Sequence, residues 1–97
     1  MRKITEDAIR AFRNNQNFKR GNTWVQCVIG RRFLHLHDNV IAEMTNNGEL
    51  FITAAGWHTV TTKERLNGFP SVNIVQKNYQ WFLNGEKWDG GLIRVNW

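Results

Sequence analysis

The sequence predicts an α+β fold: an antiparallel β-meander and a C-terminal β-hairpin, with an N-terminal helix and a short connecting helix, in a single domain over residues 1–97. Three observations predict it. Apolar and polar residues alternate with a period of two in short runs from Thr23 onward, the mark of half-buried strands. Turn dipeptides, Asn47-Gly48 and Asn84-Gly85 above all, punctuate those runs. Helix start and stop signals occur near residues 5–14 and 61–67. A chain of 97 residues supports one core, and five Trp with six Phe supply much of its area at few positions.

Residues 5–14, TEDAIRAFRN, read as an amphipathic helix with Thr5 as cap, Ile4 stapled to Ile9, and Ala8, Ile9 and Phe12 as the apolar stripe. Residues 14–22 read as a polar loop anchored by Phe18. Strands follow over Trp24–Ile29 and Phe33–His37. A three-residue loop at 38–40 would set Leu34 and Leu36 opposite Met44 and Ala42, and is preferred because it pairs apolar residues. A tight Asn47-Gly48 turn would then pair Met44 with Phe51 and Glu43 with Ile52. On this register one face carries Leu34, Leu36, Ala42, Met44 and Phe51, and the other Phe33, His35, Ile41, Leu50 and Ile52. Both are too apolar for water, so the N-terminal helix is expected on one and the C-terminal half on the other.

The connecting helix lies in HTVTTKERLNGFP, residues 58–70, where Thr61 and Glu64 form a capping box and Asn67-Gly68 with Pro70 ends it. So short a helix needs tertiary support, and Val60, Leu66 and Phe69 are expected to peg it to the sheets. Beyond it, Val72–Gln76 and Tyr79–Leu83 alternate around Lys77-Asn78 and place Val72, Ile74, Trp81 and Leu83 on one face. The Asn84-Gly85 turn sets Trp81 opposite Trp88, and Leu92–Trp97 forms an edge strand.

The net charge is +5, from thirteen Lys and Arg against eight Asp and Glu. Between Asp7 and Asp38 stand six basic residues, Arg10, Arg13, Lys19, Arg20, Arg31 and Arg32, and no acidic one. Such a segment suits phosphate or an acidic protein surface, with simple solubility as the plainer account. Rings on β-structure can stack bases while cations neutralise phosphates, which suits Trp24, Phe33, Tyr79 and Trp88 beside Arg31, Arg32, Lys77 and Lys87 to RNA or single-stranded DNA. The candidate nucleic-acid-binding residues are Arg10, Arg13, Lys19, Arg20, Trp24, Arg31 and Arg32. The other partner class is a protein, bound through exposed Trp and Arg anchors.

Catalytic patterns are sparse. His35 and His37, two apart on a strand, would share a face, and Glu43 or His58 could complete a metal site, giving a small metal-dependent enzyme as a further alternative. The plainer account pairs His35 with Glu43 and leaves His37 at a solvated turn. Cys27 sits in an apolar alternation as a buried thiol, there is no glycine-rich phosphate loop or nucleophile elbow, and Glu86 and Asp89 read as solvated turn residues. The expectation is a non-enzymatic binding protein with no cofactor and no metal. One cysteine rules out an internal disulfide, no apolar run nears the roughly 20 residues of a membrane span, and MRKITEDAIRAF lacks a signal-peptide core, so no membrane contact is expected.

The phrases NTWVQ, LHLHDNVIAE, FITAAGW, TTKERLNG and QWFLNGEKWDGGLI, in this order over almost the whole chain, resemble small uncharacterised proteins encoded by tailed bacteriophages. GWHTVTTKERLNGF is the most specific part. The resemblance implies a setting in the host bacterial cytoplasm, with a protein of a host system, such as an antiviral defence complex, as the alternative partner to nucleic acid, and it assigns no role to individual residues.

Overall fold

Helix α1 spans Lys3–Arg13 in the computed structural model, which describes residues 2–97. Ala8, Ile9, Ala11 and Phe12 are buried along one stripe, as the period predicts. Its cap differs from expectation. Arg2 holds the N-cap position without a side-chain bond, and Thr5 lies inside the helix, fully buried, because residues of the second helix claim its hydroxyl. At the other end Arg32 donates to the carbonyls of Phe12 (2.7 Å) and Arg13 (3.1 Å), satisfying acceptors that every helix C-terminus leaves open.

Five strands follow: β1 (Phe18–Arg20), β2 (Thr23–Val28), β3 (Arg31–Leu36), β4 (Asn39–Met44) and β5 (Leu50–Ile52). The expected loop at 14–22 thus contains a short strand that pairs Phe18 with Val25 at the sheet edge. The three-residue loop at 38–40 does not form. His37 and Asp38 make a two-residue turn with φ of 50° and 67°, a region that His and Asp tolerate better than most residues. A bulge then leaves Ile41 without a partner, so Leu34 pairs with Ala42 while His35 pairs with Val40.

The Asn47-Gly48 hairpin is present with one more loop residue than predicted. Thr45 N donates to Glu49 O at 2.9 Å, Gly48 N donates to Thr45 O at 3.0 Å, and Gly48 takes a φ of 79° that a side chain would strain. Met44 therefore pairs with Leu50 and Glu43 with Phe51, not with Phe51 and Ile52. A one-residue slip exchanges the faces. Leu50 and Ile52 join Leu34, Ala42 and Met44 in the core, and Phe51 moves outward.

Helix α2 spans Val60–Leu66. Thr59, not Thr61, caps it by accepting from Thr62 N at 3.1 Å, and the expected capping box is absent because Glu64 turns to Thr5 and Arg65. Leu66 and Phe69 are buried pegs, but Val60 is 73% exposed. Strands β6 (Ile74–Lys77), β7 (Gln80–Leu83) and β8 (Glu86–Lys87) form a three-stranded sheet, with the first turn at Asn78-Tyr79 and not at Lys77-Asn78. Val72, Ile74, Trp81 and Leu83 are buried as predicted, and Trp88 N donates to Trp81 O at 3.0 Å.

Strand β9 (Ile93–Val95) crosses back to β5, giving a six-stranded antiparallel sheet in the order β1-β2-β3-β4-β5-β9. Both helices and the C-terminal hairpin pack on the face that carries Val25, Leu34, Ala42, Met44, Leu50 and Ile52, forming one contiguous core. The expectation that the two halves cover opposite faces is therefore corrected. Once Leu50 and Ile52 turn inward, the second face keeps too little aliphatic surface to need a cover.

Candidate functional site

The uncovered face of the six-stranded sheet is built from two cross-strand rows. One runs Lys19, Trp24, His35, Val40, and the other runs Gln26, Phe33, Glu43, Phe51, Arg94. Trp24, Phe33 and Phe51 are half-buried there by one another and by the pleat, without helix or second sheet above them. Antiparallel sheets commonly leave one face to solvent, but that face is ordinarily polar.

His35 is the exception to the half-burial, at 9% exposed. The Trp24 ring stacks on it with centroids 4.1 Å apart and planes at 27°, and Phe33 tilts against it at 6.4 Å. Its Nε2 donates to Gln26 Oε1 at 3.0 Å, while Nδ1 is buried with no partner among the described residues. Burial lowers the pKa of His35 below the ordinary histidine value, and the charge of Asp38 only partly opposes this. The ring is thus a neutral plate beneath Trp24. Two shallow recesses, of about 250 Å³ and 530 Å³, flank Trp24, the first offering Asn22 and Asp38 and both bordered by Lys19.

Lys19 Nζ lies 5.9 Å from the centre of the Trp24 ring. Arg31 and Glu43 pair at 3.2 Å, with the arginine half exposed. Arg94 reaches Glu49 at 3.7 Å, again in solvent. Ion pairs of this exposure contribute little, so both arginines are free to exchange a carboxylate for a phosphate.

The fold distributes the seven sequence-predicted residues over two sides. Lys19, Trp24 and Arg31 share the open face. Arg10 and Arg20 instead converge with Lys3 on Asp7, at 3.3, 2.9 and 3.1 Å, beside α1. The Arg20 hydrogen bond, then that of Lys3, holds the Asp7 carboxyl below its usual value. Arg13 covers the Trp97 ring at 5.4 Å, and Arg32 is occupied as the cap of α1. The cationic segment is therefore not one surface, since alternate strand residues point to opposite faces. Trp88, offered above as a stacking ring, is a core residue, and Tyr79 with Lys77 belongs to the other sheet.

The histidine site does not assemble. His37 sits in the turn, where Asn22 Nδ2 donates to its Nε2 at 3.3 Å; Glu43 is opposite Phe33 and bound to Arg31; and His58 donates to Asp89 O at 2.7 Å. Among the described residues no three His, Cys, Asp or Glu side chains are grouped to hold a metal ion. The two-residue turn at His37-Asp38, which sets Val40 and not Glu43 opposite His35, is the physical cause. Burial pushes the Cys27 thiol up, with Arg32 weakly opposing.

Sequence reasoning missed Gln26, Phe51 and Arg94. Gln26 was visible in the alternation of β2, but Phe51 and Arg94 depend on a hairpin register and on a pairing between distant segments.

A family model described as Kyanoviridae Gp96 protein matches residues 1–95. No curated protein and no solved structure matches the chain. Among the described residues no helix is long and apolar enough to cross a membrane.

Proposed function

The chain belongs to the Kyanoviridae Gp96 protein family, a family of phage-encoded small proteins, and we propose that its open sheet face binds single-stranded nucleic acid in the host bacterial cytoplasm. The observation that carries this reading is Trp24, backed by a neutral His35 ring, bordered by Lys19 and flanked by two shallow recesses. A base stacked beside Trp24 continues an existing ring stack, and Phe33 and Phe51 extend the platform across the strands. Lys19, Arg31 and Arg94 meet the backbone phosphates, which position a strand without reading its sequence. Arg32 has no part in this contact, being occupied by α1. Arg10, Arg13 and Arg20 raise the local potential from the far side of the sheet and steer association. The role is binding without catalysis.

The test is fluorescence anisotropy with labelled oligo(dT) and oligo(U) from low to physiological salt. Binding that weakens steeply with salt supports the reading, because each neutralised phosphate releases condensed counterions. Absence of binding at low salt, where the electrostatic attraction is greatest, overturns it.

A second surface favours a host protein as partner. Trp57 is 58% exposed at the rim of an apolar recess that Leu36 and Ile41 help line, a composition suited to an interface anchor.

A further inference from the structure

The six-stranded sheet ends on β9 and the three-stranded sheet ends on β8, and both ends border one groove of about 580 Å³. Glu86 and Lys87 line it from one strand, and Ile93, Arg94 and Val95 from the other.

Backbone direction follows from the pairing, since antiparallel neighbours alternate between hydrogen-bonded and non-bonded pairs. The bond from Thr45 N to Glu49 O makes 45/49 a bonded pair, so 43/51 is bonded and Phe51 points its amide and carbonyl at β4. Leu50 and Ile52 then point theirs at β9, where they face Val95 and Ile93. Arg94, between those two, turns its N–H and C=O out of the sheet. On the opposite side, the bond from Trp88 N to Trp81 O makes 81/88 a bonded pair, so 82/87 is non-bonded and Lys87 also turns its N–H and C=O outward. Among the described residues no backbone bond joins Arg94 or Lys87 to another segment.

We propose that the groove between β8 and β9 is a docking site for an extended peptide segment of a partner protein, which adds as a strand to these two free edges. An extended backbone offers donors and acceptors alternately along both sides, as the two edges require. A helix has its backbone groups engaged internally, and an anion satisfies donors alone. Lys87 and Arg94 face a single lining carboxylate, Glu86, the Glu49 contact of Arg94 being long and solvent-exposed, and Ile93 is 39% exposed, so the complementary strand alternates acidic and apolar residues. The same cations disfavour a second copy of this chain as occupant, because edge lysines and arginines repel their own kind.

The experiment pans a random heptapeptide library on the native protein and follows the Arg94 and Lys87 amides by NMR hydrogen exchange. The expected result is enrichment of alternating acidic and apolar peptides that slow exchange at both amides. Methylating alternate backbone nitrogens of such a peptide should weaken it by about tenfold or more, the scale of one lost hydrogen bond. The proposal fails if no peptide is enriched, if enriched peptides leave both amides unprotected, or if the methylated peptide binds as well. Protection that grows with protein concentration alone also overturns it, and assigns the groove to a second copy.

Discussion

Arg65 Nε donates to Thr23 Oγ1 at 2.9 Å, in a position where the arginine is 2% exposed. The same guanidinium donates through Nη1 to Thr5 Oγ1 at 3.0 Å and to Glu64 Oε1 at 3.1 Å, so one side chain joins α2 to α1 and to β2. Burial lowers its pKa below the ordinary arginine value, against the pull of Glu64. Removing it takes one hydrogen bond from each of the buried hydroxyls of Thr5 and Thr23 and leaves the Glu64 carboxylate with its bond from Thr5 but no countercharge. Arg65→Ala should destabilise by about 3–5 kcal/mol, the usual scale for breaking a buried charged network. Urea unfolding checks this, and a loss below about 1 kcal/mol would place Arg65 in solvent.

The hairpin register makes opposite demands on neighbours. Ile52→Ala should cost about 2–5 kcal/mol because Ile52 is fully buried, whereas Phe51→Ala should cost less, its ring being half-buried on the open face. The prediction concerns the order of the two unfolding midpoints. The reverse order would restore the tighter Asn47-Gly48 turn and return Phe51 to the core.

His35 should make stability fall as the solution is acidified. Its folded pKa is depressed below the ordinary 6.5, so the unfolded chain binds more protons in the interval beneath that value. Stability is full above 6.5 and declines as pH falls through that point toward the folded pKa. Denaturant midpoints at pH 7.5 and 5.5 should differ in this direction, and His35→Gln should reduce the difference. An unchanged difference in the variant would assign the acid sensitivity to other groups.

Nucleic-acid affinity should respond differently to charge and to rings. Arg31→Glu should flatten the log–log salt dependence by about one to two units on all sequences alike, at roughly 0.7 per lost contact plus the added repulsion. Trp24→Ala should cost about 1–3 kcal/mol with little change in salt slope. Arg32→Glu, by contrast, should lower stability through α1 while adding no specific loss beyond general charge. If Arg31→Glu and Arg32→Glu prove interchangeable in their salt slopes, the division of the basic segment between two faces is wrong.

How much of this was written locally can be judged from particular residues. Alternation with a period of two is a property of the pleat, so Val72, Ile74, Trp81 and Leu83 were legible as one buried face, and so was the stripe Ala8, Ile9 and Phe12 on α1. Asn47-Gly48 and Asn84-Gly85 marked real hairpins because a left-handed backbone restricts residue choice at those points. What local patterns did not fix was register. A two-residue turn at His37-Asp38, one bulged residue at Ile41 and one extra residue in the loop after Met44 decided which alternate side chains met the helices, and so decided that Glu43 misses His35, that Phe51 faces water, and that one sheet face stays open. The hydroxyl of Thr5 looked like an N-cap until Arg65, 60 residues away, drew it, together with that of Thr23, 42 residues away, into its burial site. The basic run 10–32 is one segment in sequence and two surfaces in space, since strand geometry separates Arg31 from Arg32 while tertiary packing gives the latter a helix to cap. Sequence by itself determined most of the elements, the apolar faces of α1 and of the C-terminal hairpin, and the net charge. Only the tertiary structure decided which faces met, because pairing register and long-range hydrogen bonds depend on groups that no local window contains.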